Sequence, residues 1–293
     1  MNSQSTPATV IEREKRIVQK LAGLPDETSI VFNDKGWDSR VYSVGGGTFF
    51  VKFPRSEKIR GRYAQEIDAL KLAATSGKVA VPKVVWQHPR NDYFGYEGVR
   101  GEQLSTIVAS LDDKIKQSIG ATLGEFLRDF HQKKLPGART ADAAKEIAQL
   151  QDWYAPSASL IKQTFSEGER QTLERLVHEA WPKRFAGFSG KLVLCHNDLG
   201  FANILLTEGN RVGVIDFGDV AYGDESKDFI GFTDTTIFEA ALKAYGDGEG
   251  LRGKIALRLD VRQIIILTAA IGKHDEPTVK QTLASLREII ARS

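Results

Sequence analysis

The chain has 293 residues, 41% hydrophobic and 27% charged, enough for a well-buried core in one large or two medium domains. A net charge of +2 argues against a nucleic-acid binder or a membrane-surface protein, and no apolar run approaches the roughly 20 residues of a membrane span. A single cysteine, Cys195, excludes an internal disulfide, and its apolar surroundings suit a small core residue better than a reactive thiol.

Residues 1–9 are polar and lack the apolar stretch of a signal peptide, so a reducing, cytoplasmic setting is expected. Residues 10–21 place Ile11, Ile17, Val18 and Leu21 on one face of an amphipathic helix. Three strands should follow, 29–33, 40–44 and 48–53, with Gly45-Gly46-Gly47 as the turn before the third. The loop 33–39 between the first two reads either as a phosphate-covering loop, with Ser39 as a donor, or as an ordinary polar hairpin loop.

The third strand carries Lys52 among apolar neighbours, where an ammonium is costly to bury without a partner. Residues 56–74 have helical periodicity and offer Glu66. The alternatives are a braced Lys52–Glu66 pair or a solvated edge lysine with a surface glutamate. Strands are expected at 83–86 and 93–99. The turn after the second reads either as a plain strand end and turn or as a hinge, in which backbone groups of Glu97 and Val99 would face a purine edge with Tyr96 at the back of the pocket.

From residue 103 the pattern is helical. Residues 111–131 give one apolar stripe through Ile115, Ile119, Leu123, Phe126, Leu127 and Phe130, with His131 as a capping or surface residue. Two or three helices are expected over 141–180, where acids such as Asp152, Glu167 and Glu169 read better as a solvated face than as a cation-attracting wall. Helices should also fill 237–271, broken at 246–250, and 278–290.

Between these helical regions lie two short apolar strands that deliver polar residues into loops. His196-Asn197-Asp198 is followed by Asn203, and after a second strand comes Asp216-Phe217-Gly218. A carboxylate, then an amide five residues on, then a second carboxylate after a hairpin is a phosphoryl-transfer layout. Asp198 is placed to orient an attacking hydroxyl. An ordinary aspartate pKa near ~3.9 makes it a weak base, so orientation outweighs proton removal. Asn203 and Asp216 offer the hard oxygens that Mg²⁺ prefers. His196 reads as a structural residue of the loop, and Asp224 as an N-cap with Asp228 one turn on.

These runs, with Lys52-Phe53-Pro54-Arg55, Gly223-Asp224 and Asp228-Phe229, resemble the aminoglycoside phosphotransferase family over nearly the whole chain. The His-Asn-Asp form is most similar to the 2″-aminoglycoside phosphotransferases. The resemblance implies an α+β, two-lobed protein-kinase-like fold. Its nucleotide-binding lobe would span 1–99, and a helical lobe with the catalytic loop and substrate site 100–293. It further implies ATP or GTP as donor, Mg²⁺, and O-phosphorylation of a small molecule; the sequence leaves the oligomeric state open, with a monomer favoured. The first reading is an aminoglycoside resistance kinase. The alternatives are a kinase for a macrolide, homoserine, a choline-like compound or another small alcohol, and a non-catalytic nucleotide-binding pseudokinase.

The motif departs from many relatives at Leu199-Gly200-Phe201-Ala202, where His-Pro-Gly is common. Past Phe232 the acids are at least matched by lysine and arginine, so Asp234 and Glu239 are the carboxylates expected to face substrate. A protein kinase is disfavoured because only a short turn separates Asp216 from Asp224, leaving no room for an activation segment.

Overall fold

The computed structural model describes residues 6–23, 29–34, 36, 38–141, 143–188, 192–246 and 250–293. In chain order the elements begin with α1 (Ala8–Ala22), β1 (Ile30–Asn33), β2 (Ser39–Val44), β3 (Phe49–Pro54), α2 (Glu57–Arg60), α3 (Tyr63–Ala74), β4 (Lys83–Gln87) and β5 (Phe94–Glu97). They continue with β6 (Glu102–Gln103), α4 (Leu104–Ile107), α5 (Asp113–Phe130), α6 (Ala143–Thr164), α7 (Glu167–Arg175), α8 (Trp181–Ala186) and β7 (Val193–Cys195). The remainder is β8 (Ile204–Leu206), β9 (Val212–Val214), β10 (Ala221–Gly223), α9 (Thr235–Tyr245), α10 (Leu251–Lys273) and α11 (Glu276–Ala291). An antiparallel sheet followed by a larger helical portion makes this the expected α+β architecture. No described helix is long and apolar enough to cross a membrane.

The chain forms two compact units: 1–138 with 196–220 and 231–246, and 139–195 with 221–230 and 247–293. The boundary expected after Val99 lies inside the first unit, because β6, β8, β9, α5 and α9 cluster with the five-stranded sheet.

In the first unit the sheet order is β1-β2-β3-β5-β4, antiparallel throughout. Alternation along β3 sends Val51 and Phe53 to the face where α1 packs, with Val18, Tyr42 and Val44, which leaves Lys52 on the other face. Buried Glu14 locks α1 in place: Arg40 donates from Nη2 and Nε at 2.7 and 3.0–3.1 Å, and the Tyr42 hydroxyl at 2.9 Å. The single helix expected over 56–74 is two. Ser56 caps α2, which stops at Gly61, and Arg62 then opens α3.

A smaller sheet, β6-β8-β9, carries the β8–β9 hairpin. Beneath it α5 and α9 pack closely through Gly120 and Gly124. A Cβ at Gly124 would lie 2.2 Å from the Ala241 carbonyl oxygen, so only glycine permits this approach. His131 follows α5 as its C-cap but is not on the surface: it is buried, with Nδ1 2.9 Å from the Tyr245 hydroxyl. The aromatic hydroxyl supplies the polar partner that burial requires.

The second unit packs α6, α7, α8, α10 and α11 around Ile161, Leu173, Trp181, Ile264, Leu267 and Leu286. Its strands β7 and β10 pair antiparallel, and Cys195 is a core residue whose thiol burial pushes well up. The acids of α7 serve local needs, as Ser166 and Glu169 form a reciprocal capping box. Asp224 caps the short turn at 225–228, accepting from Ser226 N at 3.0 Å. Arg258 of α10 donates to Ser226 Oγ at 2.7 Å and to Glu146 at 3.1 Å, while Lys254 donates to Asp224 at 2.7 Å and Glu225 at 3.0 Å.

Candidate active site

The β8–β9 hairpin brings together two residues separated in sequence. Ile215 N donates to the Asn203 carbonyl at 3.0 Å, so the residue before β8 stands beside the residues after β9. Asp216 follows with φ 63°, in the left-handed region that aspartate and asparagine tolerate best after glycine. That conformation turns the chain sharply out of β9 and presents the carboxylate to Lys52 Nζ, 3.3 Å from Oδ1.

Lys52 is buried, and Glu66 from the first turn of α3 accepts its main hydrogen bond at 2.7 Å. The Phe94 ring lies 5.9 Å from the ammonium. Of the two alternatives for Lys52, the braced pair is what forms. Asp198 is held by Asn203, whose Nδ2 donates to the Asp198 backbone oxygen at 2.9 Å and to Oδ2 at 2.8 Å.

The loop that carries Asp198 is built on His196, which is fully buried as a structural residue. Asp198 N donates to its Nδ1 at 3.3 Å, and its Nε2–H donates to the Ile215 carbonyl at 3.1 Å. Asn197 adopts φ 67°, and its Nδ2 donates to the Asp219 carbonyl at 3.1 Å, linking the two loops directly.

Burial opposes the charge on Lys52, but Glu66 and Asp216 outweigh it and hold the ammonium well above the usual lysine range. Lys52 in turn lowers Asp216. Partial desolvation pushes the Asp198 carboxyl up, reinforced by Asp216 and Asp219 and opposed by His196 and Asn203. The buried Lys52–Glu66 pair therefore stands behind a front of reachable oxygens; the Asp216 side chain is 53% exposed. The cluster gathers an ammonium, an amide and carboxylates, a set suited to anionic oxygens and a divalent cation.

Residues 29–259 match the phosphotransferase enzyme family (APH). The chain belongs to that family. Among solved structures it is similar to the GDP complex of wild-type aminoglycoside 2′-phosphotransferase-IIIa, at 20% identity over 95% of this chain and 98% of that one, with a TM-score of 0.70. It is similar to the gentamicin complex of APH(2″)-IIa at 19% identity over 97% and 96% of the two chains, with a TM-score of 0.69. The macrolide 2′-phosphotransferase MphH from Brachybacterium faecium gives 20% identity over 94% and 98%, with a TM-score of 0.59. These likenesses establish the kinase-like fold, and family membership makes the chain a phosphotransferase enzyme.

Within this phosphotransferase the other expected residues lie as follows. Ser39 is not in a loop: it opens β2, is 4% exposed, and its hydroxyl lies 2.9 Å from that of Tyr63. The phenol on α3 captures the group that was to reach outward. Lys35 and Trp37 of the same loop fall outside the described residues. Glu97 ends β5 with an exposed side chain, and Val99 follows two residues on, half-buried. Tyr96 stacks on Phe50 with centroids 5.6 Å apart, and burial pushes its phenol up to about 12.

Asp234 caps α9 and is ion-paired with Lys116 at 2.8 Å, whereas Glu239 is exposed along α9. Four residues escaped sequence reasoning: Arg62, Gln65, Asn197 and Asp219. The signal was present only for Asn197, as an asparagine where a tight turn needs a positive φ.

Proposed function

We propose that the protein transfers the γ-phosphoryl group of ATP or GTP to a hydroxyl of a small molecule with the help of Mg²⁺, and that the acceptor is an aminoglycoside. The observation that carries this reading is the convergence of Lys52, Glu66 and Asp216 with the Asn203–Asp198 pair. Asp198 orients the acceptor hydroxyl and takes its proton as transfer proceeds. Lys52, braced by Glu66, neutralises phosphate charge, and backbone groups of Glu97 and Val99 meet the purine edge. Ser39 supports this set from behind through Tyr63.

The donor set fits a magnesium ion. Asn203 spends its amide nitrogen on Asp198, which leaves Oδ1 as the acceptor to offer beside the Asp216 carboxylate. Glu66 and Asp216 are paired with Lys52 and Asp219 with Arg62, while Asp198 feels the charges of Asp216 and Asp219, an excess of negative charge that a divalent ion offsets. When bound, Mg²⁺ screens and aligns the phosphate oxygens.

A second reading is supported by the engagement of Asp234 with Lys116: an acceptor with less positive charge, such as a macrolide, homoserine or a choline-like alcohol. The experiment is nucleotide turnover by purified protein with Mg²⁺ and ATP or GTP over a panel of aminoglycosides, macrolides and small amino alcohols. One class should be consumed. Asp198→Ala should abolish transfer and keep nucleotide binding, and transfer retained by that variant would refute the assignment. Nucleotide binding without turnover on any acceptor would favour a pseudokinase.

A further inference from the structure

Four residues at the start of α3 each hold a different partner. Arg62 Nη1 lies 3.7 Å from Asp38 Oδ2, at the entry to β2, and 4.0 Å from Asp219 Oδ1, three residues beyond Asp216. The Tyr63 hydroxyl shares a hydrogen bond with Ser39, the residue next to Asp38. Gln65 donates to the Val220 carbonyl, the residue next to Asp219, and Glu66 holds Lys52. One helical turn thus joins the entry of β2 to the segment that follows Asp216.

The Arg62 contacts differ in kind from the other three. Both exceed hydrogen-bond length, and the Asp38 and Asp219 side chains are 57% and 54% exposed. Ion pairs of this sort are individually weak and screened by salt, so they adjust where the buried bonds do not. Asp38 and Asp219 also share one guanidinium nitrogen as counter-ion. Without it, two carboxylates would oppose each other beside a cluster already rich in negative charge.

We propose that Arg62 is a positioning residue of the transfer site, one that ties the entry of β2 to the Asp216–Asp219 turn and so sets where Asp216 stands relative to Lys52 when nucleotide phosphates arrive. This inference rests on the phosphoryl-transfer reading above. Arg62 acts through Asp38 and Asp219, so its loss is felt in nucleotide handling and not in acceptor affinity.

The test compares Arg62→Ala, Arg62→Lys, Asp38→Ala and the Arg62→Ala/Asp38→Ala double variant of the full chain at low and high salt, with thermal unfolding as a check on the fold. Arg62→Ala should raise the nucleotide KM about fivefold or more at low salt, a scale set by two partly exposed ion pairs, and leave the acceptor KM unchanged. High salt should shrink the difference from wild type, Arg62→Lys should recover part of it, and the double variant should be no worse than Arg62→Ala alone. If Arg62→Ala does not fold, the lysine variant and the salt dependence carry the comparison. A nucleotide KM within twofold of wild type in folded Arg62→Ala, or additive effects in the double variant, would overturn the proposal. So would tighter nucleotide binding by Asp38→Ala, which would make Arg62 a direct phosphate ligand. Failure of the underlying reading is separate: wild-type protein itself would then transfer no phosphate.

Discussion

Glu66→Gln isolates the charge of the brace behind Lys52. The two side chains are 11% and 6% exposed and meet at 2.7 Å. At an effective dielectric constant of ~20, two charges at that distance attract by roughly 6 kcal/mol, most of it offset by the desolvation both have suffered. Deleting one member of a buried pair usually costs about 3–5 kcal/mol, because the other is left stranded. Glutamine keeps the volume and an acceptor oxygen, and Asp216 remains 3.3 Å from the ammonium, so the loss should fall below that range. A destabilisation of about 2 kcal/mol is expected, a roughly 30-fold fall in the folding equilibrium, read from urea denaturation with unchanged slope. The nucleotide KM should rise with it.

Lys52→Met inverts the problem by leaving Glu66 buried without its cation. Burial already pushes that carboxyl up, and removal of Lys52 pushes it further. A carboxyl raised in the folded state is most favourable below its unfolded value of ~4.3, and stability is lost as pH rises through the folded value. The variant should therefore be closer to wild type at mildly acid pH than at neutral pH. Lys52→Met/Glu66→Leu, with no buried charge left, should recover stability and remain inactive. Glu66→Gln within about 0.5 kcal/mol of wild type at neutral pH, or a pH-independent deficit in Lys52→Met, would refute the reasoning.

Gly124→Ala should destabilise by about 1–3 kcal/mol, overriding the helix gain of alanine, because its methyl would meet the Ala241 carbonyl at 2.2 Å; thermal unfolding measures it. Gly253→Ala on α10 has nothing within 4 Å of the new methyl and should instead raise stability by up to ~1 kcal/mol. Asp234 is desolvated, yet Lys116 and the α9 amides hold its carboxyl below the usual range. Its contribution should be present above the unfolded value of ~3.9 and disappear as pH falls through the folded one, so an acid titration of Asp234→Asn should lack that part of the stability loss.

The candidate catalytic residues were legible because their spacing is dictated by a local unit. A two-strand hairpin fixes how far Asn203 and Asp216 can be apart, and five residues of loop fix Asp198 against Asn203. Lys52 was legible for a different reason: a charge on an apolar strand demands a partner, and Glu66 was the acid nearest the middle of the next helical stretch. The helix 56–74 misled because periodicity runs through Gly61, where the chain breaks and lets Arg62 and Tyr63 open a second helix facing β2. Ser39 misled through the same long-range contact, since nothing near it in sequence announces a tyrosine 24 residues away. His131 is the cap that was one of its two expected roles, and its burial went unseen because its partner, Tyr245, lies on another helix 114 residues on.

The acceptor side was the least legible part, and the reason is electrostatic. Counting acids in a sequence treats every carboxylate as available to a cationic ligand. In the folded chain Asp234 is held by Lys116, Glu146 by Arg258 and Lys227, and Asp224 and Glu225 by Lys254. A carboxylate already paired at 2.7–3.1 Å has spent most of its attraction, and a substrate ammonium must displace the resident cation to gain from it. The residues proposed to meet phosphate face no such competition, because Lys52 keeps both of its anions while the Asp216 side chain stays 53% exposed. In the proposed reaction, phosphoryl chemistry would therefore be fixed by groups whose pairing is part of the mechanism. In that reading, acceptor choice would depend on which of the remaining carboxylates a ligand can win from the protein's own lysines and arginines.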